Sequence, residues 1–180
     1  MNKPVKFMAM LIAAALCSSA VAAVKEADLQ ARVQATLETF YSQNPSHREL
    51  VDKAAGVLVF PEITKAGAGI GGEGGRGALL VNGKEVGRYD IKGASVGATL
   101  GVAHRSELIL FMTQEARDKF ERSKGWTIGA DVGVAVASKG AGGQYDTQTL
   151  QKPILALVMN EHGLMGDVSL QGEKVTHVGL

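Results

Sequence analysis

The chain has 180 residues, 46% of them hydrophobic, with 19 basic and 18 acidic side chains and a formal net charge of +1. That near-neutral balance excludes a general nucleic-acid binder, whose affinity comes from a basic surface, and 5% aromatics leave no stacking platform for bases. No block of like charge is present that would work as a polybasic membrane anchor.

The first 22 residues have the layout of a secretory signal peptide. Lys3 and Lys6 form a positive start, Phe7 to Leu16 is an apolar run, and Ala20, Val21 and Ala22 make a small-residue cleavage site. The run is shorter than the ~20 residues a membrane span needs. Residues 23–180 are therefore expected to be one secreted, periplasmic domain, and loss of the two lysines takes the formal charge from +1 to −1. Cys17 ends the apolar run, where a lipoprotein would be acylated, but bulky Leu16 stands where a small residue is expected, so an outer-membrane lipoprotein is the weaker reading. Cleavage after Ala22 removes the only cysteine, and a secreted domain without disulfides needs a substantial core.

From Lys25 to Gln43, Leu29, Val33, Leu37, Phe40 and Tyr41 recur at helical spacing, which predicts an amphipathic helix packed on the core rather than lying in a membrane. Asn44 and Pro45 stop it, and Ser46 with Glu49 reads as a capping box opening a short second helix that ends at Gly56. From Val57 the period changes to two. VLVF is a strand closed by Pro61, and the pair Asn82-Gly83 between strand-like runs predicts a hairpin with a type I′ turn.

Between these lies KAGAGIGGEGGRGALL. It matches GxGxxG at Gly67, Gly69, Gly72, again at Gly69, Gly71, Gly74, and again at Gly72, Gly74, Gly77. A dinucleotide loop opens a helix, whereas here a strand and turn follow, so the matches reflect composition. The glycines alternate instead, and the same small-face, apolar-face plan returns in GASVGATLGVA and GADVGVAVA. Glycine weakens an ordinary strand, so its repetition calls for sharp coiling of the sheet or close approach of another backbone. ELILFM is a further strand, Thr113 caps a helix to about Lys124 with Gly125 as its stop, and Trp126 packs. After a polar loop around Gln144 to Gln148, the runs ILALVM, LMGDVSL and EKVTHV finish the chain as strands, with a turn at His162-Gly163. The expected fold is α+β: a curled, barrel-like, mainly antiparallel Gly-rich sheet with N-terminal helices and one helix between strands.

Gly93 to Gly97 spell GxSxG, with Asp131 and His162 following in hydrolase order. The residues after Ser95 keep alternating, which puts the serine inside a strand rather than on the strand-to-helix elbow that a nucleophile needs. A serine hydrolase is thus a remote alternative, and no enzyme activity is expected. His47, His104, His162 and His177 show no metal-ligand spacing and read as surface or turn residues; no metal or cofactor is expected. Glu62, Glu73, Glu85 and Asp90, interleaved with Lys65, Arg76, Lys84, Arg88 and Lys92, read as a solvated charged face.

Taken in order, KAAGVLVFPEITKAGAGIGGEGGRGALLV, ASVGATLG, ELILFMTQEARDKF, GADVGVAVA and HGLMGDVSLQG resemble the SYLF domain family, also described as lipid-binding actin regulators, from about Val51 to Val178. The resemblance implies a non-catalytic module that binds phosphoinositide or other lipid. In eukaryotic members of that family, binding is associated with an N-terminal amphipathic segment and basic residues, and some members engage actin. The signal peptide separates this chain from actin and from cytosolic phosphoinositides, and the first helix sets Lys25 and Arg32 against Glu26, Asp28 and Glu38, so its basic character is missing. An anionic headgroup is expected near Lys65, Arg76, Arg88 and Lys92, which flank glycine strands where backbone amides come close. An envelope structural or interaction protein without a lipid ligand is the alternative.

Overall fold

The computed structural model describes residues 28–123, 125–128, 134–136, 151–160, 163–165 and 172–180. Residues 1–27, with the run read as a signal peptide, Asp131, His162, the run at 144–148 expected as a loop, and much of GADVGVAVA and LMGDVSL lie outside the described residues. In chain order the elements are helix α1 (28–43), helix α2 (Ser46–Lys53), strands β1 (Gly56–Val81) and β2 (Lys84–Phe111), helix α3 (Gln114–Arg122), and strands β3 (Trp126–Thr127), β4 (Val134–Val136), β5 (Ile154–Asn160), β6 (Gly163–Met165) and β7 (Lys174–Gly179). The fold is α+β with a curled, mainly antiparallel sheet, as expected.

One long hairpin is the spine of the molecule. β1 and β2 pair antiparallel from Gly56↔Phe111 to Val81↔Lys84, closed by Asn82 and Gly83 at φ of 51° and 75°. Both values are left-handed, as a type I′ turn demands. The sheet runs β3-β7-β2-β5-β4, with β1 on β2 and β6 on β5. β7 joins β2 near the turn and β5 joins it near the open end, and β4–β5 is the parallel pair.

The runs read as separate strands are continuous. β1 passes through Pro61 rather than stopping there, because the proline sits in a register shift between Phe60 and Ile63, where no ladder bond is asked of it. The first two glycine segments pair with each other, Ala66 to Gly75 against Ile91 to Val102. The two halves of β1 also fold back on one another. A Cβ at Gly77 would run into the Val59 carbonyl oxygen and stand 2.6 Å from the Phe60 ring, and one at Gly75 would strike the Glu62 carbonyl oxygen. Leu58, Phe60 and Ile63 consequently share a cluster with Leu79. Close backbone approach is the reason glycine is needed at these two positions.

Two apolar clusters lie on opposite faces of the sheet. One joins Ile109, Phe111, Ile154 and Ala156 to Tyr89, Phe120 and Trp126; the other joins Leu108, Leu110, Leu155 and Leu157 to Leu29, Val33, Leu37 and Phe40 of α1. Alternation along β2 and β5 feeds both. Each fully buried Leu or Phe contributes roughly 1.5–3 kcal/mol. α1 therefore packs as predicted.

The helix ends differ in one respect from the sequence pattern. Thr113 caps α3 by accepting from the Ala116 amide at 3.2 Å. The Ser46–Glu49 capping box does not form. α2 starts on Pro45 with no side-chain cap, and Asn44 Oδ1 instead accepts from the Ser46 amide and hydroxyl at 3.0 and 2.9 Å.

Candidate anion-binding site

Side chains on the solvent face of β2 alternate with the buried Tyr89 and Ile91. Asp90 and Lys92 therefore point outward. Arg76 of β1 stands opposite Asp90, and its Nε donates to Asp90 Oδ1 at 3.0 Å. Two pairs further along, on the same face, Lys92 has Gly74 on one side and Lys174 of β7 on the other. Both lysines are exposed, and among the described residues neither has an ion-pair partner. Like charges directly opposite on neighbouring strands repel. The glycine beside them leaves the backbone of β1 bare.

Beside Arg76 the start of α1 and the fold-back of β1 enclose a cleft of about 270 Å³, lined by Arg32, Glu62, Thr64, Gly74, Gly75 and Arg76, among others. Arg32 Nη2 donates to Glu62 Oε2 at 2.7 Å, and Thr64 Oγ1 lies 3.2 Å from His104 Nδ1. Drug-sized ligands occupy roughly 300–1,000 Å³. The cleft thus suits a small polar group better than an acyl chain.

Of the four cations expected at the site, Arg76 and Lys92 come together on this face. Lys65 stands opposite Ala103 and shares the face of Ile63 and Arg105, on the other side of the ribbon. Arg88 is turned in, its Nε donating to Glu85 at 2.5 Å with the two side chains 18% and 11% exposed. Arg32 and Lys174 were not singled out by sequence. Lys174 lies in a run read correctly as a strand, but its place beside Lys92 depends on a register across 82 residues.

A second constellation is buried. Arg105 Nη1 donates to Glu73 Oε2 at 2.6 Å, Nη2 donates to Glu173, and Nη2 lies 3.9 Å from Glu107 Oε2. Glu107 and Glu173 are almost fully buried. Ionised, neither Glu107 oxygen has a donor, nor does Glu173 Oε2. Burial, then the neighbouring Glu173, pushes the Glu107 carboxyl well above the usual range, and burial pushes Glu173 up to about 7 against the pull of Arg105. Glu73 and Glu85 thus correct the expectation of a solvated face: Glu73 is clamped inside by Arg105, and Glu85 by Arg88. The signal for this was a glutamate at the head of an apolar strand, ELILFM.

The remaining candidates are placed as follows. Ser95 pairs with Gly71 in the middle of β2, so its backbone is strand, and its side chain lies outside the description. His47 is fully buried, a correction to the surface reading: its Nδ1 lies 2.6 Å from the Phe40 carbonyl oxygen and its ring stacks on Phe40 at 4.0 Å. No group of three or more His, Cys, Asp or Glu among the described residues is arranged to hold a metal ion. No described helix is long and apolar enough to cross a membrane.

A curled sheet with a two-helix cover carries a buried charge cluster on Arg105 and an exposed cationic row. Residues 92–178 match the model of the Ysc84 family, described as Las17-binding protein actin regulator, in line with the resemblance to the SYLF domain. The match runs from Lys92, midway along β2, to Val178 in β7. No curated protein matches the chain.

Proposed function

We propose that this domain is a non-catalytic module that binds anionic lipid headgroups at a bacterial cell-envelope surface. The observation that carries the reading is the unpaired couple Lys92 and Lys174, directly opposite each other on the solvent face beside bare Gly74 and the cleft at Arg76. A phosphate placed across the two ammonium groups relieves their repulsion, and charge-assisted hydrogen bonds from Arg76 and Arg32 add to it. The periplasmic address rests on the N-terminal signal pattern. The apolar face of α1 is committed to the core, so the cationic row, and not an inserted helix, is the contact.

The test is co-sedimentation with vesicles of phosphatidylglycerol and phosphatidylcholine against phosphatidylcholine alone. Binding to the anionic vesicles, weakened at least tenfold by Lys92→Ala with Lys174→Ala and by added salt, is expected. Equal absence of binding to both vesicle types at low salt removes the reading.

The exposed Ile70 and Val102, 77% and 65% accessible on the glycine ribbon, favour a second reading as an envelope interaction protein. A strictly monomeric protein at high concentration, with no envelope protein recovered on crosslinking, counts against it.

A further inference from the structure

The cluster of Arg105, Glu73, Glu107 and Glu173 is independent of the lipid reading and is not required by it. It gathers three chain segments. Glu73 belongs to the middle of β1, Arg105 and Glu107 to β2, and Glu173 to the entry of β7. With every carboxyl ionised, three negative charges meet one guanidinium in a site where Glu107 and Glu173 are shut off from solvent and Arg105 and Glu73 are only slightly exposed. A deficit of that kind is made good by a cation or by a proton. The metal alternative has no support among the described residues.

Among the described residues, the charged groups facing Glu107 are Arg105 from its own strand, Glu73 from β1 and Glu173 ahead of β7, while its strand neighbours across the ladder are Phe60 and Val158. Those facing Glu173 are the same Arg105, Glu73 and Glu107. A hydrogen on the Glu107 carboxyl supplies a donor for the carboxylate of Glu173, whose Oε2 has none.

We propose that Glu107 and Glu173 share a proton, and that the protonated pair, with Arg105 and Glu73, is a pH-sensitive latch fastening the entry of β7 to the β1–β2 ribbon. Protonated, the cluster carries one fewer negative charge, and the Glu107 hydroxyl becomes a donor beside Glu173 while Arg105 keeps its bonds to Glu73 and Glu173. Loss of the proton at alkaline pH sets two buried carboxylates against each other across one guanidinium and loosens the segment at Glu173. That segment holds the edge of the sheet: the Ile128 amide donates to the Glu173 carbonyl at 2.9 Å, and Trp126 pairs with Val175. Trp126, the single tryptophan, is therefore a reporter built into the latch.

The direction follows from linkage. The folded carboxyls hold protons more tightly than unfolded ones, so stability is full in acid and is lost as pH rises through the folded range of the pair, about 7 for Glu173. The experiment records thermal unfolding and Trp126 emission from pH 5 to pH 9 for the wild type and for Glu107→Gln, whose amide keeps a donor at every pH. A midpoint lowered by roughly 5 °C across that range and a red shift of Trp126 are expected in the wild type, with both flattened in the variant. Identical profiles for the two proteins overturn the proposal. Infrared spectroscopy of the wild type gives a second reading, also if the variant fails to fold. A protonated carboxylic-acid band at neutral pH that disappears in alkali supports the latch, and its absence at neutral pH overturns it.

Discussion

Glycine at positions 72 and 77 looks the same in sequence and is not the same in the fold. At Gly77 the missing side chain lets one half of β1 cross the other, against the Val59 carbonyl and the Phe60 ring; at Gly72 the nearest atom to an added Cβ is 3.9 Å away. Gly77→Ala is expected to destabilise the domain by about 1–3 kcal/mol through overpacking, whereas Gly72→Ala changes stability by less than about 0.5 kcal/mol. Urea unfolding of the two variants at one temperature checks the contrast. Alternation announced a strand with a small face, and it could not say which small residue is pressed on by a backbone from 13 to 18 positions earlier. Arg88 makes the same point for charge. Both arginines follow a glycine, yet Arg88 is turned onto Glu85 while Arg76 stays 60% exposed beside the cleft.

At the scale of the element, α1 was legible because the helical period of apolar residues is long and clean. Its role follows from where that stripe goes. Phe40 is fully buried, closes the cluster under α1 and carries the His47 ring against its face at 4.0 Å. Phe40→Ala is expected to cost about 3–5 kcal/mol, measured by chemical unfolding, and to remove the ring that His47 stacks on, visible by NMR as a shift of the His47 ring protons. The capping box at Ser46 shows the limit of motif reading. Asn44, two residues earlier, has the better-placed oxygen and takes the Ser46 amide and hydroxyl, so a matching pattern lost to a competing local hydrogen bond.

For the whole molecule, the controlling fact is that β2 and β5 serve both faces of one sheet. Leu108 and Leu110 belong to one apolar cluster and Ile109 and Phe111 to the other, so neither cluster can be lost without the strands that build its partner. A single cooperative transition follows. Trp126 sits in the cluster away from α1, yet Phe40→Ala is expected to move the Trp126 fluorescence transition and the far-ultraviolet circular dichroism transition together. Separate midpoints for the two probes would show that the faces unfold independently.

The amino-acid sequence by itself determined the class of the fold, the helices, the Asn82-Gly83 turn, the Thr113 cap and the family, because each rests on residues near one another along the chain or on their order. Tertiary structure alone decided that β1 folds back on itself, that Lys92 meets Lys174, that Arg88 turns in, and that Glu73, Glu107 and Glu173 gather on Arg105. Those facts depend on strand register and on burial across distant segments. A local pattern of alternation fixes which way a side chain points from its own strand, but not which side chain it will find there.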